Sequence, residues 1–238
     1  MNRSDRELWL EVGVVLIVAL LPMYSPAVDL VWPSHGVSSA NESISLRDSL
    51  ENIINDTSRS FLLLYLMWRS GEPWLRFGFT HSRRMKLDTA IVFGIVLMNY
   101  VVISEGLSLL LEPTHVEDNG GEPVALAGTA LLIVQYVFFV VHICISAFYE
   151  ELLMRGYLIP RFEQLLRSTW TSLFLTALLF GGFHVDQGMG GVLNATFAGL
   201  VYGGAFCWFR RLWPIAAAHI VYNLIVMLLP RVMGTPVT

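Results

Sequence analysis

The sequence predicts an all-α, polytopic transmembrane helical bundle of about seven spans, within a range of six to eight. Three observations point there. The 238 residues are 55% hydrophobic and only 14% charged, against about 25% charged in soluble globular domains. Mean hydropathy is +0.59. The apolar residues gather in segments near the roughly 20 residues that a helix needs to cross a bilayer. This composition excludes disorder, a collagen-like fibre, a coiled coil and a disulfide-stapled secreted domain. A net charge of −4 does not suit a nucleic-acid partner, so the lipid bilayer is the expected environment. No repeat, low-complexity tract or domain-sized linker divides the chain, and 1–238 reads as one integral-membrane domain.

The spans follow in order. The first covers about Leu8 to Tyr24. Arg3 and Arg6 lead into it and no small-residue cleavage site follows, so it reads as a retained anchor. The second, about Leu50 to Trp68, has a polar, amphipathic first half suited to the interface and an apolar second half. The third covers about Leu87 to Leu111 and the fourth about Val124 to Phe148. The fifth covers about Trp170 to His184, the sixth about Val192 to Phe209 and the seventh about Pro214 to Leu229. The longest polar loop is Pro33 to Arg47. The sequons at Asn41 and Asn55 are short strings that recur by chance and carry little weight. Cys144 and Cys207 sit inside apolar runs and read as small core residues.

Basic residues fall on alternate connections. Arg3 and Arg6 precede the first span; Arg69, Arg76, Arg83, Arg84 and Lys86 follow the second. Arg155, Arg161 and Arg167 follow the fourth, and Arg210 and Arg211 the sixth. The connections between them, such as 115–123 and 186–191, are acidic or neutral. The positive-inside rule then puts the N-terminus in the cytoplasm and, with seven spans, the C-terminus outside. Lys86 is the only lysine, a bias that suggests a GC-rich prokaryote and its cytoplasmic (inner) membrane.

Ionisable groups inside spans are costly and mark function by default. Three clusters qualify: Tyr149-Glu150-Glu151 through Arg155, Phe180 through His184, and His219 through Asn223. Glu151 and Arg155 are four apart with the acid first, the favoured order for an ion pair on one helix face. Glu150 is rotated about 100° from Glu151, which leaves it free to face a cavity. There a carboxylate can serve as general base or acid near neutral pH. The alternative is that both acids lie in the headgroup region and pair with Arg155. Phe180 and His184 share a face, so the ring can hold the imidazole, and Gly181 and Gly182 permit close helix approach. A lone histidine at a span end, such as His184 read by itself, is more often a structural or interfacial residue. His219 and Asn223 repeat the four-residue spacing; both could donate to a developing oxyanion, or simply tie helices together.

Taken together, E-E-x-x-x-R, F-x-x-x-H and H-x-x-x-N on successive apolar segments resemble the CPBP family of CAAX-type prenyl endopeptidases, Rce1-like proteases and Abi proteins. The resemblance covers about Ala147 to Leu229, within a motif-bearing core of about 124–229. It implies an intramembrane endopeptidase acting on a membrane-associated protein or peptide, such as one bearing a sorting signal or leader. By position it implies that Glu150 activates water with His184, that His219 and Asn223 stabilise the oxyanion, and that Glu151, Arg155 and Phe180 support them. On family grounds a metal-free glutamate mechanism without cofactor is favoured. A zinc-dependent version would use His184, His219 and Glu150, although no H-E-x-x-H string is present. No G-x-S-x-G occurs, and Asp186 is the only acid near the last three spans, which disfavours serine and two-aspartate chemistries. The rival reading is a non-enzymatic membrane protein for immunity, scaffolding or transport.

One geometric demand follows. Glu150 is expected near the inner end of the fourth span, while His184 lies roughly 24 Å up the fifth. Either the fourth span extends deeper, or 155–168, with Pro160 and an amphipathic pattern, enters the membrane as a re-entrant or interfacial helix.

Overall fold

A computed structural model describes residues 4–20, 46–80, 83–110 and 129–233. The described residues are helical throughout, joined by turns. Helix α1 is Asp5–Val15, continued by a π turn over Leu16–Leu20; α2 is Leu46–Arg69 and α3 is Met85–Leu110. Helix α4 is Thr129–Glu151, and α5 is Ile159–Leu166. Helix α6 is Thr169–Gly182, α7 is Gly188–Phe209 and α8 is Leu212–Met233. The expected loop Pro33–Arg47, apart from its last two residues, and the acidic loop 115–123 lie outside the described residues. So do the sequon at Asn41 and the outer end of the first span.

Local chemistry sets several boundaries. Ser4 and Glu7 form a reciprocal capping box that starts α1, with bonds of 3.0 and 3.3 Å. Ser168 caps α6 by accepting from the Thr171 amide at 3.2 Å. Pro214 lies in the first turn of α8, where a missing amide hydrogen costs no bond. α5 and α7 end on Arg167 and Arg210 in the left-handed region, φ 54° and 51°. That conformation costs a non-glycine residue roughly 1–2 kcal/mol. At Arg210 the cost is offset by a forked pair onto Glu163, at 2.7 and 2.6 Å.

The fourth span does not stop near Phe148. From Glu151 the chain winds on through a π-helical segment, Leu152–Leu158, directly into α5. Pro160 explains the change of winding. It has no amide hydrogen, and its ring crowds the carbonyl four residues back; the wider π turns accommodate both. The outcome is one apolar rod, Leu131–Leu166, of 36 residues, about 54 Å long, with Glu150 near its middle. The helix bearing Glu150 is therefore continuous through Leu166, and 155–166 is not a separate segment.

This rod and α7 are long and apolar enough to cross a membrane; Thr169–Gly182 and Leu212–Leu228 are shorter apolar stretches. Apolar side chains such as Leu131, Ile133, Val137, Phe174 and Leu178 face outward. So much exposed hydrocarbon is incompatible with a water-facing surface and suits lipid.

Two buried clusters meet around the rod. One joins Val12 and Val15 of α1, Leu63 and Met67 of α2 and Phe77 to the π-segment residues Leu152, Leu153, Met154, Tyr157 and Leu158. The other joins Val92 and Val96 of α3 to Tyr202 and Phe206 of α7 and Ile215 and Ala218 of α8. Gly78 ties the 74–80 turn to the start of α8. Its carbonyl accepts from the Leu212 amide at 2.9 Å, and a Cβ there would stand 3.0 Å from that nitrogen. Its φ of 84° also favours glycine. This seats Trp213 between Phe79 and Phe148, with ring centroids 5.9 and 5.7 Å away, two residues from Glu150.

Three further expectations change. The polar half of the second span is amphipathic, as expected, but its buried stripe is polar: Asp56 and Ser60 are buried while Glu51, Asn52 and Asn55 are exposed, and Asp56 bonds to Ser146 on α4. The 186–191 connection is mostly ordered as a 3-10 turn and the start of α7. Arg155 and Arg161 are not loop charges but the two largest fully buried side chains. Arg161 reaches Glu72 at 2.5 Å and Glu11 at 3.3 Å, stapling α1 and the turn after α2 to α5. Of the three arginines expected on that connection, Arg167 alone is a surface charge.

Candidate active site

The three polar clusters of the sequence converge where the two buried clusters meet. Glu151 is completely buried. Its Oε1 accepts from Arg155 Nη1 at 3.0 Å, the four-residue pair expected from spacing, and also lies 2.7 Å from His219 Nδ1. Glu151 therefore carries two partners where the spacing indicated one. Arg155 is held at its other end by the Gly199 carbonyl, 3.2 Å from Nη2. Its guanidinium also lies over the rings of Phe180 and Tyr202, at 4.8 and 5.4 Å.

Glu150, rotated away from that pair, faces the imidazoles. His219 Nε2 is 3.8 Å from Glu150 Oε2, and Glu150 also interacts electrostatically with His184. A buried carboxylate paired with arginine is an acceptor, so His219 carries its proton on Nδ1 and presents Nε2 to Glu150. His184 follows the same logic. α6 ends at Gly182, and a tight turn places His184 over Phe180, with ring centroids 5.0 Å apart. Its Nδ1 lies 2.9 Å from the Phe180 carbonyl. That oxygen can only accept, so His184 also holds its proton on Nδ1 and leaves Nε2 open.

Close packing of α6 on α7 makes this convergence possible. A Cβ on Gly181 would collide with Thr196 and stand 2.8 Å from the Val192 carbonyl. One on Gly199 would stand 3.0 Å from Ala177 Cα.

Asn223 lies one turn beyond His219 on α8. It is half-buried and makes no side-chain hydrogen bond among the described residues. The structure thus brings Glu150, Glu151, Arg155, Phe180, His184 and His219 together; Asn223 follows His219 by four residues on the same helix. Among the described residues, no group of three or more His, Cys, Asp or Glu is arranged to hold a metal ion.

Two contributors carry no motif. Tyr202 stacks on His219 with centroids 5.0 Å apart and 25° between planes. The signal was slight: a tyrosine amid the small residues of an apolar segment. From α2, Asp56 and Arg59 pair at 3.4 Å, and Arg59 lies over the Tyr149 ring. The buried polar positions of α2 were legible as an amphipathic stripe, but not the helix that stripe would face.

Residues 130–225 match the family model described as type II CAAX prenyl endopeptidase Rce1-like. No curated protein and no solved structure matches the chain. The matched segment spans all three clusters. The family implies a protease, and with the apolar helices it suggests an integral membrane protein.

Proposed function

We propose that this chain, whose residues 130–225 match the Rce1-like type II CAAX prenyl endopeptidase model, is an intramembrane endopeptidase of the glutamate type. It would cleave a membrane-associated protein or peptide, a sorting signal or leader being the favoured class. In this reading the N-terminus is cytoplasmic and the chain makes about seven spans. The observation that carries the proposal is the meeting of a carboxylate, Glu150, with two imidazoles whose Nδ1 atoms are already committed.

The chemistry follows from that arrangement. Water held between Glu150 and His184 Nε2 gives its proton to Glu150, and the oxygen bonds to the scissile carbonyl carbon. Negative charge moves to the carbonyl oxygen. Asn223 donates to it from its amide, and His219, entering the step as the imidazolium with a second proton taken from solvent and kept throughout, donates from Nε2. Collapse breaks the C–N bond, and the proton on Glu150 passes to the departing amine. Glu151, held by Arg155, keeps the Nδ1–H of His219 in place throughout.

Purified, reconstituted Glu150→Gln and His184→Ala variants test the assignment against peptides bearing sorting or leader sequences. General acid–base catalysis contributes typically 10²–10⁴-fold, so each variant should lose about that much in kcat. Full cleavage by either would refute the roles. A zinc enzyme would lose activity on prolonged chelation; the glutamate mechanism predicts none lost.

A further inference from the structure

We infer that Tyr202 is a positioning residue for His219 and that it acts through its ring. The activity readouts rest on the proteolytic reading above; the structural readout does not.

Tyr202 is 2% exposed, and its ring lies against the His219 imidazole at 5.0 Å and 25°. Phe180 meets the same imidazole edge-on, at 6.2 Å and 84°. Arg155 lies over both aromatic rings, so the imidazole is boxed by two rings that share one cation. The arrangement matters because His219 has two jobs in one plane. Nδ1 meets Glu151 at 2.7 Å, and Nε2 faces Glu150 at 3.8 Å. Rotation about the bond from Cβ to the ring would break the first contact and turn Nε2 from the carboxylate. The stacked face of Tyr202 blocks that rotation. The close approach of α7 to α6 at Gly199, one turn before Tyr202, sets how deep the ring sits.

The hydroxyl explains nothing in the fold. Among the described residues it is buried and has no hydrogen-bond partner. A buried hydroxyl in that state is a cost that replacement by an apolar group of the same shape removes. The ring is therefore what this position requires.

The test uses full-length reconstituted protein carrying Tyr202→Phe or Tyr202→Leu, with Tm, kcat, KM and the ¹⁵N signals of histidine-labelled protein as readouts. Tyr202→Phe should keep kcat within about twofold and melt at or above the parent temperature. Tyr202→Leu should remain folded, keep KM and lose roughly 10- to 100-fold in kcat. Its His219 signals should leave the single Nδ1–H pattern, which Tyr202→Phe retains. A folded Tyr202→Leu variant with parental kcat and a single tautomer would overturn the inference. So would a Tyr202→Phe variant as impaired as Tyr202→Leu, which would place the role on the hydroxyl. If Glu150→Gln cleaves as well as the parent, the proteolytic reading fails, while the ¹⁵N comparison still decides the role of Tyr202.

Discussion

Replacing Arg155 by methionine removes a cation that is 1% exposed. It deletes the 3.0 Å bond to Glu151, the 3.2 Å bond to the Gly199 carbonyl and the contacts with two rings. Methionine fills much of the space, so the dominant loss is electrostatic. Among the described residues Glu151 is left fully buried with His219 as its remaining partner, and its Oε2 already has none. Breaking a buried pair by removing one member costs about 3–5 kcal/mol. Against a total stability of about 5–15 kcal/mol, that is a large share. For a chain of this size each kcal/mol moves Tm by about 2–4 °C, so a drop of roughly 6–20 °C is expected. The assay is thermal unfolding of parent and variant in the same detergent. The double variant Glu151→Gln/Arg155→Met leaves no charge behind and keeps an acceptor for His219. It should recover about half of the loss. A single variant within about 2 °C of the parent, or a double variant no better than the single, would refute the unpaired-charge argument.

Two more outcomes follow from packing and pairing. Gly181→Ala places a methyl against the Val192 carbonyl, a backbone atom that cannot swing aside. It should cost about 1–3 kcal/mol, and it should lower kcat because α6 carries His184; parental Tm and kcat together would show that α6 and α7 separate freely. Arg161→Met removes the cation that joins Glu72 to Glu11; Glu72 keeps Arg76 and Gln164 and Glu11 keeps the Tyr157 hydroxyl, so a loss of about 1.5–3 kcal/mol is expected, with faster hydrogen exchange in α1 and in 70–78. Unchanged exchange there would show that Arg161 is no staple.

The site was legible because its residue types are conspicuous in an apolar chain. Two adjacent acids, two histidines and an asparagine in lipid-crossing segments have few bland explanations, and spacing alone paired Glu151 with Arg155. The partner of His219 was not legible. Its spacing put Asn223 on the same helix face without naming what that face meets, whereas the structure sets His219 against Glu151, 68 residues earlier in the chain. Loop charge was misread at Arg155 and Arg161 for a related reason. A sequence window registers the charge of an arginine but not the buried carboxylates that meet it.

Periodicity and composition by themselves determined that the described residues are helical and apolar, and which side chains are the candidates for chemistry. These are properties of residue type and of spacing within one helix turn. Only the tertiary structure decided where the rod through Glu150 ends, because the π winding that carries it past Pro160 is held by packing against α1 and α2. Only it decided that Asp56 faces α4, that Tyr202 covers His219 and that α6 brings His184 to Glu150. Each of those depends on the approach of two helices distant in sequence, which glycine surfaces and buried charges set jointly and no single segment encodes.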